Sequence, residues 1–185
     1  MRSMAEIFES WCVRDEHGRH KDGTDKVSNH NYAAAYESLF PDRDAIRLVM
    51  EVGVAGGAGM LAWREIFQRA DIVGLDIHPC AACPAERLEF HLGDQRRQVD
   101  CARAAAGRQF DFILDDATHM LENNLLTMFW LWPFVRPGGV YVVEEFANVG
   151  AYRKNITALW PQAEILDTVG PFGGIESLVI LRKIS

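Results

Sequence analysis

A chain of 185 residues, 49% hydrophobic and 24% charged, is long enough for one domain with a sizeable core and has the composition of a globular protein. Its net charge of −7 argues against a nucleic-acid partner, whose phosphates would ask for a basic face. No apolar run reaches the roughly 18 residues needed to span a bilayer, and the N-terminus lacks a signal-peptide core, so a cytoplasmic protein without a membrane partner is expected.

Met1–Arg14 carries apolar residues at Met4, Ile7, Phe8, Trp11 and Cys12, close to helical spacing. The polar stretch Asp15–Asn29 follows, containing Gly23-Thr24-Asp25-Lys26. His30–Phe40 then reads as a helix with Tyr32, Tyr36, Leu39 and Phe40 toward the core, stopped by Pro41-Asp42. Residues 1–40 are expected as a helical N-terminal cap or lid on a single domain spanning 1–185. Exposed apolar residues in this cap would fit a dimer or tetramer.

Arg47–Gly59 begins as a β-branched apolar run, the pattern of a fully buried parallel strand, and breaks into glycines at 53, 56, 57 and 59. A helix is expected over Met60–Arg69. Strand, glycine turn and helix make a nucleotide-cofactor platform, because glycine lets the backbone approach a ligand and the helix start offers free N–H donors. A second strand, Ile72–Ile77, holds Asp76, an acceptor for ribose hydroxyls. Ala55 stands where a dinucleotide fingerprint from Gly53 needs glycine, and Glu51 just before the turn suits a cationic ligand better than a pyrophosphate. S-adenosylmethionine, with a sulfonium and an ammonium and no phosphate, fits both facts. A tight strand–helix turn with no ligand is the alternative.

The remaining elements alternate. Strands are expected at Leu88–Leu92, Phe110–Leu114, Val140–Val143, Ala163–Val169 and Ser177–Leu181, and helices at Gln98–Ala106, Leu121–Val135 and Tyr152–Trp160, with Arg136–Gly139 as a turn. The pattern predicts an α/β, Rossmann-like, doubly wound sheet of seven strands, mostly parallel. The last strand is antiparallel, because only the short Gly170–Gly174 link precedes it. The four cysteines, Cys12, Cys80, Cys83 and Cys101, are expected as free thiols. Cys80-x-x-Cys83 lacks the second ligand pair of a zinc site and reads as a loop beside the cofactor, with a metal or redox role as the alternative.

In such a sheet ligands bind at the carboxyl ends of the strands. Glu51, Asp76, Asp94, Asp115, Asp116, Glu144 and Glu145 all fall there. Without a cation these carboxylates repel, and a hard divalent ion such as Mg²⁺ would relieve them. Glu51, Gly53, Asp76, Asp94, Gln95 and Asp115 are assigned to the cofactor, with its ammonium near Glu51, its ribose on Asp76 and its adenine near Asp94-Gln95. Asp116, Glu144 and Glu145, from neighbouring strands, can converge on one ion; the alternative is a solvated acidic rim. His119, three residues past Asp116, is placed for a general base; a capping or core histidine is the alternative. Gly23–Tyr32 is expected to fold over the methionine end of the cofactor, with Thr24 and Lys26 as partners of its carboxylate; an exposed connector is the alternative.

Gly23-Thr24-Asp25-Lys26, Glu51-Val-Gly-Val, Ile72-Val-Gly-Leu-Asp76, Gly93-Asp94-Gln95, Asp115-Asp116-Ala-Thr-His119 and Arg136-Pro-Gly-Gly-Val-Tyr-Val-Val-Glu144-Glu145, in this order, resemble class I S-adenosylmethionine-dependent methyltransferases. They are most similar to the metal-dependent sugar O-methyltransferases of macrolide and related antibiotic pathways. The resemblance implies Mg²⁺ on Asp116, Glu144 and Glu145, and His119 as the catalytic base. The chain departs from the family in Glu144-Glu145, usually Glu-Asp, and is expected to lack the family's large N-terminal auxiliary domain, which would favour a smaller or more open acceptor. The expected activity is O-methylation of a sugar or glycoside hydroxyl, with N-methylation of an aminosugar or NAD(P)-dependent oxidoreduction as alternatives.

Overall fold

The computed structural model describes residues 2–80, 85–145, 149–170, 173 and 175–184. The N-terminal part is α1 (Met4–Ser10), a hairpin of β1 (Cys12–Arg14) and β2 (His20–Gly23), and α2 (Ala33–Leu39). The remainder alternates β3 (Leu48–Val52), α3 (Ala58–Ile66), β4 (Asp71–Asp76), β5 (Leu88–Leu92), α4 (Gln98–Ala105), β6 (Phe110–Asp115), α5 (Leu121–Leu131), β7 (Val135–Val143), α6 (Val149–Leu159), β8 (Ala163–Val169) and β9 (Ile175–Arg182).

Seven strands form one sheet in the order β5-β4-β3-β6-β7-β9-β8. Every neighbouring pair up to β7 is parallel, and β9 runs antiparallel to both β7 and β8. The α/β, Rossmann-like reading with an antiparallel last strand is therefore the observed topology. The chain order reverses at β3, between β4 and β6, which opens a crevice at the carboxyl ends of those strands.

Both faces of the sheet are covered, and this explains the continuous apolar runs of the strands. Successive side chains point to opposite faces. Val49, Phe112, Leu114, Val142 and Ile180 join α1, α2 and α3 in one core, while Met50, Ile113, Val143, Val179 and Leu181 join α4, α5 and α6 in the other. Met4, Ile7 and Phe8 lie in the first core. Most of the apolar N-terminal residues are thus consumed by internal packing, while Val13 stays exposed.

Several boundaries differ from expectation: α2 begins at Ala33, α3 runs Ala58–Ile66, α6 begins at Val149, and two further differences have a clear cause. The helix expected through Arg14 stops at Ser10, because Cys12–Arg14 pairs with His20–Gly23 across a turn. In that turn Asp15 Oδ1 accepts the amides of His17 and Arg19, and Gly18 takes a left-handed conformation. The helix expected through Val135 stops at Leu131, and Trp132–Phe134 form a single 3₁₀ turn. Pro133 in that turn has no amide hydrogen to continue the α-helix. Val135 then already belongs to β7, so the Arg136–Gly139 turn lies within that strand, where its register against β6 shifts. Cys83 lies outside the described residues; Cys12, Cys80 and Cys101 are free thiols.

Candidate active site

Strand alternation decides which face each strand-end acid serves. Glu51 continues the series of Val49 and points toward α3. There its Oε1 accepts from Trp63 Nε1 at 3.4 Å, and its Oε2 is buried without a partner. Gly59, in the first turn of α3, makes room: a methyl group there would run into the Glu51 carboxylate. At 2% exposure, burial drives the Glu51 pKa up to about 8 against the pull of Lys26.

The glycine turn leaves β3 through Gly53 at φ +85° and Ala55 at φ +47°. A side chain at Gly53 would strike the backbone oxygen of Asp116, so glycine there is set by contact as well as by φ. Asp76 orders this turn. Its Oδ2 accepts the amides of Val54 (2.7 Å) and Ala55 (2.9 Å), and its Oδ1 accepts the amide of His78 at 2.8 Å.

Two cavities adjoin here. One, of about 350 Å³, lies between Gly53, Asp76, Ile77, Asp94, Gln95 and Thr118. The other, of about 450 Å³, lies beneath the β1–β2 hairpin and is lined by Trp11, Thr24, Lys26, Glu51, His119 and Glu145, among others. Gly53, Ala55 and Asp116 line both. Trp11, Val13 and Asp22 were not foreseen as cavity walls. The signal that could have found them was the Asp15–Gly18 turn, which folds the polar stretch back as a hairpin.

The expected cofactor residues divide. Asp94 sits at the mouth of the smaller cavity, paired with Arg96 at 2.7 Å. Gln95 lines that cavity, but its side chain is spent inward: Nε2 donates to Asp115 Oδ1 and Thr127 Oγ1, and Oε1 accepts the Thr118 amide. Asp115, expected at the cofactor, lies on the opposite face from Asp116, fully buried, with Asn124 donating to its second oxygen. Burial raises its pKa to about 7. It holds Gln95 and α5 in place and does not line either cavity. Thr24 is buried with its hydroxyl unpartnered, beside the larger cavity.

Lys26 departs from the expected role as a partner of a cofactor carboxylate. Its Nζ donates to Asp116 Oδ2 at 2.8 Å and to Glu144 Oε2 at 2.7 Å, and the Tyr36 hydroxyl donates to Glu144 Oε1. Burial disfavours the ammonium, yet Asp116, Glu144 and Glu51 together hold its pKa well above the ordinary value. A second cation was not foreseen at all. His30 Nε2 lies 3.0 Å from Asp25 and 2.9 Å from Glu145. Burial pulls the His30 pKa down, but these two carboxylates outweigh it and raise it to about 10, so His30 is an imidazolium at neutral pH. Part of the strand-end acidity is therefore neutralised by the protein's own side chains.

The metal fit is partial. Asp116, His119 and Glu145 place ligand atoms within 4.8 Å of one another, and the same holds for Asp25, His30 and Glu145. Glu144 is fully buried with both oxygens engaged, so it offers no free ligand atom in this arrangement. His119 Nε2 stands 3.7 Å from Glu145 Oε2, and its Nδ1 is buried and unpartnered. His119 and Glu145 both adopt left-handed backbone conformations, φ +54° and +50°. Together with Ala55, they put backbone strain at the site, as functional positions often do.

Several of these groups, Lys26 and Glu144 among them, bind protons more tightly folded than unfolded, and three set the sign of the pH dependence near neutrality. Glu51 moves from 4.5 to about 8, Asp115 from 3.8 to about 7 and His30 from 6.5 to about 10. The stabilisation from a raised pKa is complete below the unfolded value and is lost as pH rises through the folded one. The melting temperature of the ligand-free protein should therefore fall steadily between about pH 5 and pH 10. Glu51→Gln should flatten the part of that slope below about pH 8. A melting temperature that rises across this range would contradict the assignment.

No protein-family model matches the chain. Among curated proteins it is similar to the 8-demethyl-8-alpha-L-rhamnosyl tetracenomycin-C 2'-O-methyltransferase of Streptomyces olivaceus, 32% identical over 148 residues, which is 75% of this chain and 37% of that protein. It is also similar to the demethylmacrocin O-methyltransferase of Streptomyces fradiae, 31% identical over 72% of this chain and 34% of that protein. Among solved structures it is similar to the MycE methyltransferase from the mycinamycin biosynthetic pathway in complex with Mg, SAH and mycinamycin VI. The TM-score is 0.75 over 99% of this chain and 55% of that chain, at 22% identity, a likeness of fold. The chain spans about a third of the length of these curated relatives. The resemblance to sugar O-methyltransferases of antibiotic pathways, read from the motifs, is borne out by these relatives.

Proposed function

We propose, from this similarity to sugar O-methyltransferases, that the chain is an S-adenosylmethionine-dependent O-methyltransferase acting with Mg²⁺ on a hydroxyl of a sugar or small glycoside. The observation that carries the reading is the convergence of Asp116, His119 and Glu145 on the larger cavity, with Asp116 lining the smaller one as well. The smaller cavity suits the adenosine end of the cofactor, with Asp76 prealigned by three backbone amides as acceptor for the ribose hydroxyls. The larger cavity suits the methionine end, where the unpartnered Glu51 Oε2 can take the ammonium and the free Thr24 hydroxyl the carboxylate.

Bound S-adenosylmethionine would supply an electrophilic methyl group, and Mg²⁺ held by Asp116 and Glu145 would lower the acceptor hydroxyl pKa. His119 takes the proton from that hydroxyl at an imidazole nitrogen. Glu145 Oε2, 3.7 Å from Nε2, steadies the imidazolium that forms. The hairpin and Trp11 shield the reacting oxygen, and the remaining contribution of the site is orientation. Exposed Leu126 and Phe129 on α5 support the reading of a homo-oligomer.

The test is methyl transfer from S-adenosylmethionine to a panel of glycosides and aminoglycosides, with and without EDTA. Methylation of a glycoside hydroxyl is expected, lost in EDTA and restored by Mg²⁺. S-adenosylhomocysteine, and not NAD⁺, should raise the melting temperature. Methylation at full rate in EDTA would remove the metal from the reaction.

A further inference from the structure

Lys26 is the one buried lysine among the described residues, and it sits between Asp116, which could hold a metal, and the buried Glu144. Its ammonium bridges Asp116 and Glu144 across the ends of β6 and β7, and Tyr36 closes the remaining side of Glu144. Asp116 belongs at the same time to the Asp116–His119–Glu145 cluster that opens on the larger cavity. One carboxylate is thus shared between an internal cation and the position an external cation would take. Two cations on one carboxylate repel each other, and the repulsion is poorly screened beneath the protein surface.

We propose that Lys26 is the resident counter-ion of Asp116 and Glu144, and that a divalent cation loads only as this ammonium withdraws from Asp116, so that Lys26 sets the metal affinity of the site. The proposal rests on the metal-dependent reading above. It explains why a buried lysine is tolerated at a metal-type site: the acids need a cation before the metal arrives. Lys26 also belongs to the segment above the larger cavity. The Lys26 carbonyl accepts the Tyr32 amide at 2.7 Å, and the Thr24 amide donates to the Trp11 carbonyl at 3.1 Å. The backbone around Lys26 is thus tied to the hairpin and to the start of α2.

The experiment is a Mn²⁺ titration, read by electron paramagnetic resonance, of the wild-type protein and of Lys26→Met. The variant should bind Mn²⁺ at least about tenfold more tightly, the scale of one unit charge removed near contact. Equal or weaker binding by Lys26→Met would overturn the role of Lys26 and leave the metal reading standing. If neither protein binds Mn²⁺, the metal reading itself fails, and this proposal with it. Lys26→Met leaves the buried Glu144 and the part-buried Asp116 without their cation, so a variant that folds only with Mn²⁺ also supports the proposal. The wild-type protein gives a second readout: acetylation of Lys26, followed by mass spectrometry, should run several-fold faster with Mg²⁺, and an unchanged rate would count against withdrawal.

Discussion

His119→Ala should slow methyl transfer by roughly 10²–10⁴-fold, the range for a lost general base, while S-adenosylhomocysteine binds as before. His119 lines the larger cavity, is part of the Asp116–Glu145 cluster and is held in a left-handed backbone conformation by its place between β6 and α5. Two histidines share Glu145, and only His119 lines the larger cavity. His30 is tied to two carboxylates and keeps its own proton to about pH 10. The rate should be measured in single turnovers with a glycoside found in the methylation panel, so that product release does not mask the chemical step. His119→Ala at the wild-type rate would remove the base from the mechanism even if methylation stands.

Trp63→Ala should cost roughly 3–5 kcal/mol of stability, the range for emptying a buried aromatic site, and lower the melting temperature by about 10 °C. Trp63 is fully buried on α3. Its ring lies edge-on to Phe8 (5.0 Å), Tyr36 (5.0 Å) and Phe112 (5.3 Å), and stacks on Phe67 at 5.8 Å. It therefore joins α1, α2, α3 and the sheet, and no single neighbour can refill its volume. The same ring supports the site, since its Nε1 donates to Glu51 and it packs against Tyr36, which holds Glu144. Trp63→Phe should lose much less stability but still weaken S-adenosylhomocysteine binding, through the lost Glu51 contact. Denaturant unfolding of both variants, with calorimetry of the second, separates the two effects. A loss below about 1 kcal/mol in Trp63→Ala would show that the cluster can collapse around the gap.

The order of strands and helices from β3 onward, the doubly covered sheet and its single antiparallel strand were legible in the residue string; the β1–β2 hairpin was not. They depend on local periodicity and on the length of each connection, both of which a sequence states directly. The motifs likewise carried the family resemblance, because glycine turns and strand-end acids are local features. Even the misplacement of Asp115 had a local cure: adjacent residues on a strand face opposite ways, so Asp115 and Asp116 could not serve one cavity.

What only the tertiary structure decided is how the charges are paired. Lys26 meets Asp116 and Glu144 across 90 and 118 residues of sequence, and His30 meets Glu145 across a comparable gap. Nothing in the spacing of a lysine inside a polar stretch says which distant carboxylate it will neutralise. That depends on where the β1–β2 hairpin and the Tyr36 helix settle on the sheet, and on the cost of burying a charge alone, which only the finished packing imposes. The sequence by itself determined that acids would gather at the strand ends. The fold determined that two cations of the protein's own would be waiting among them.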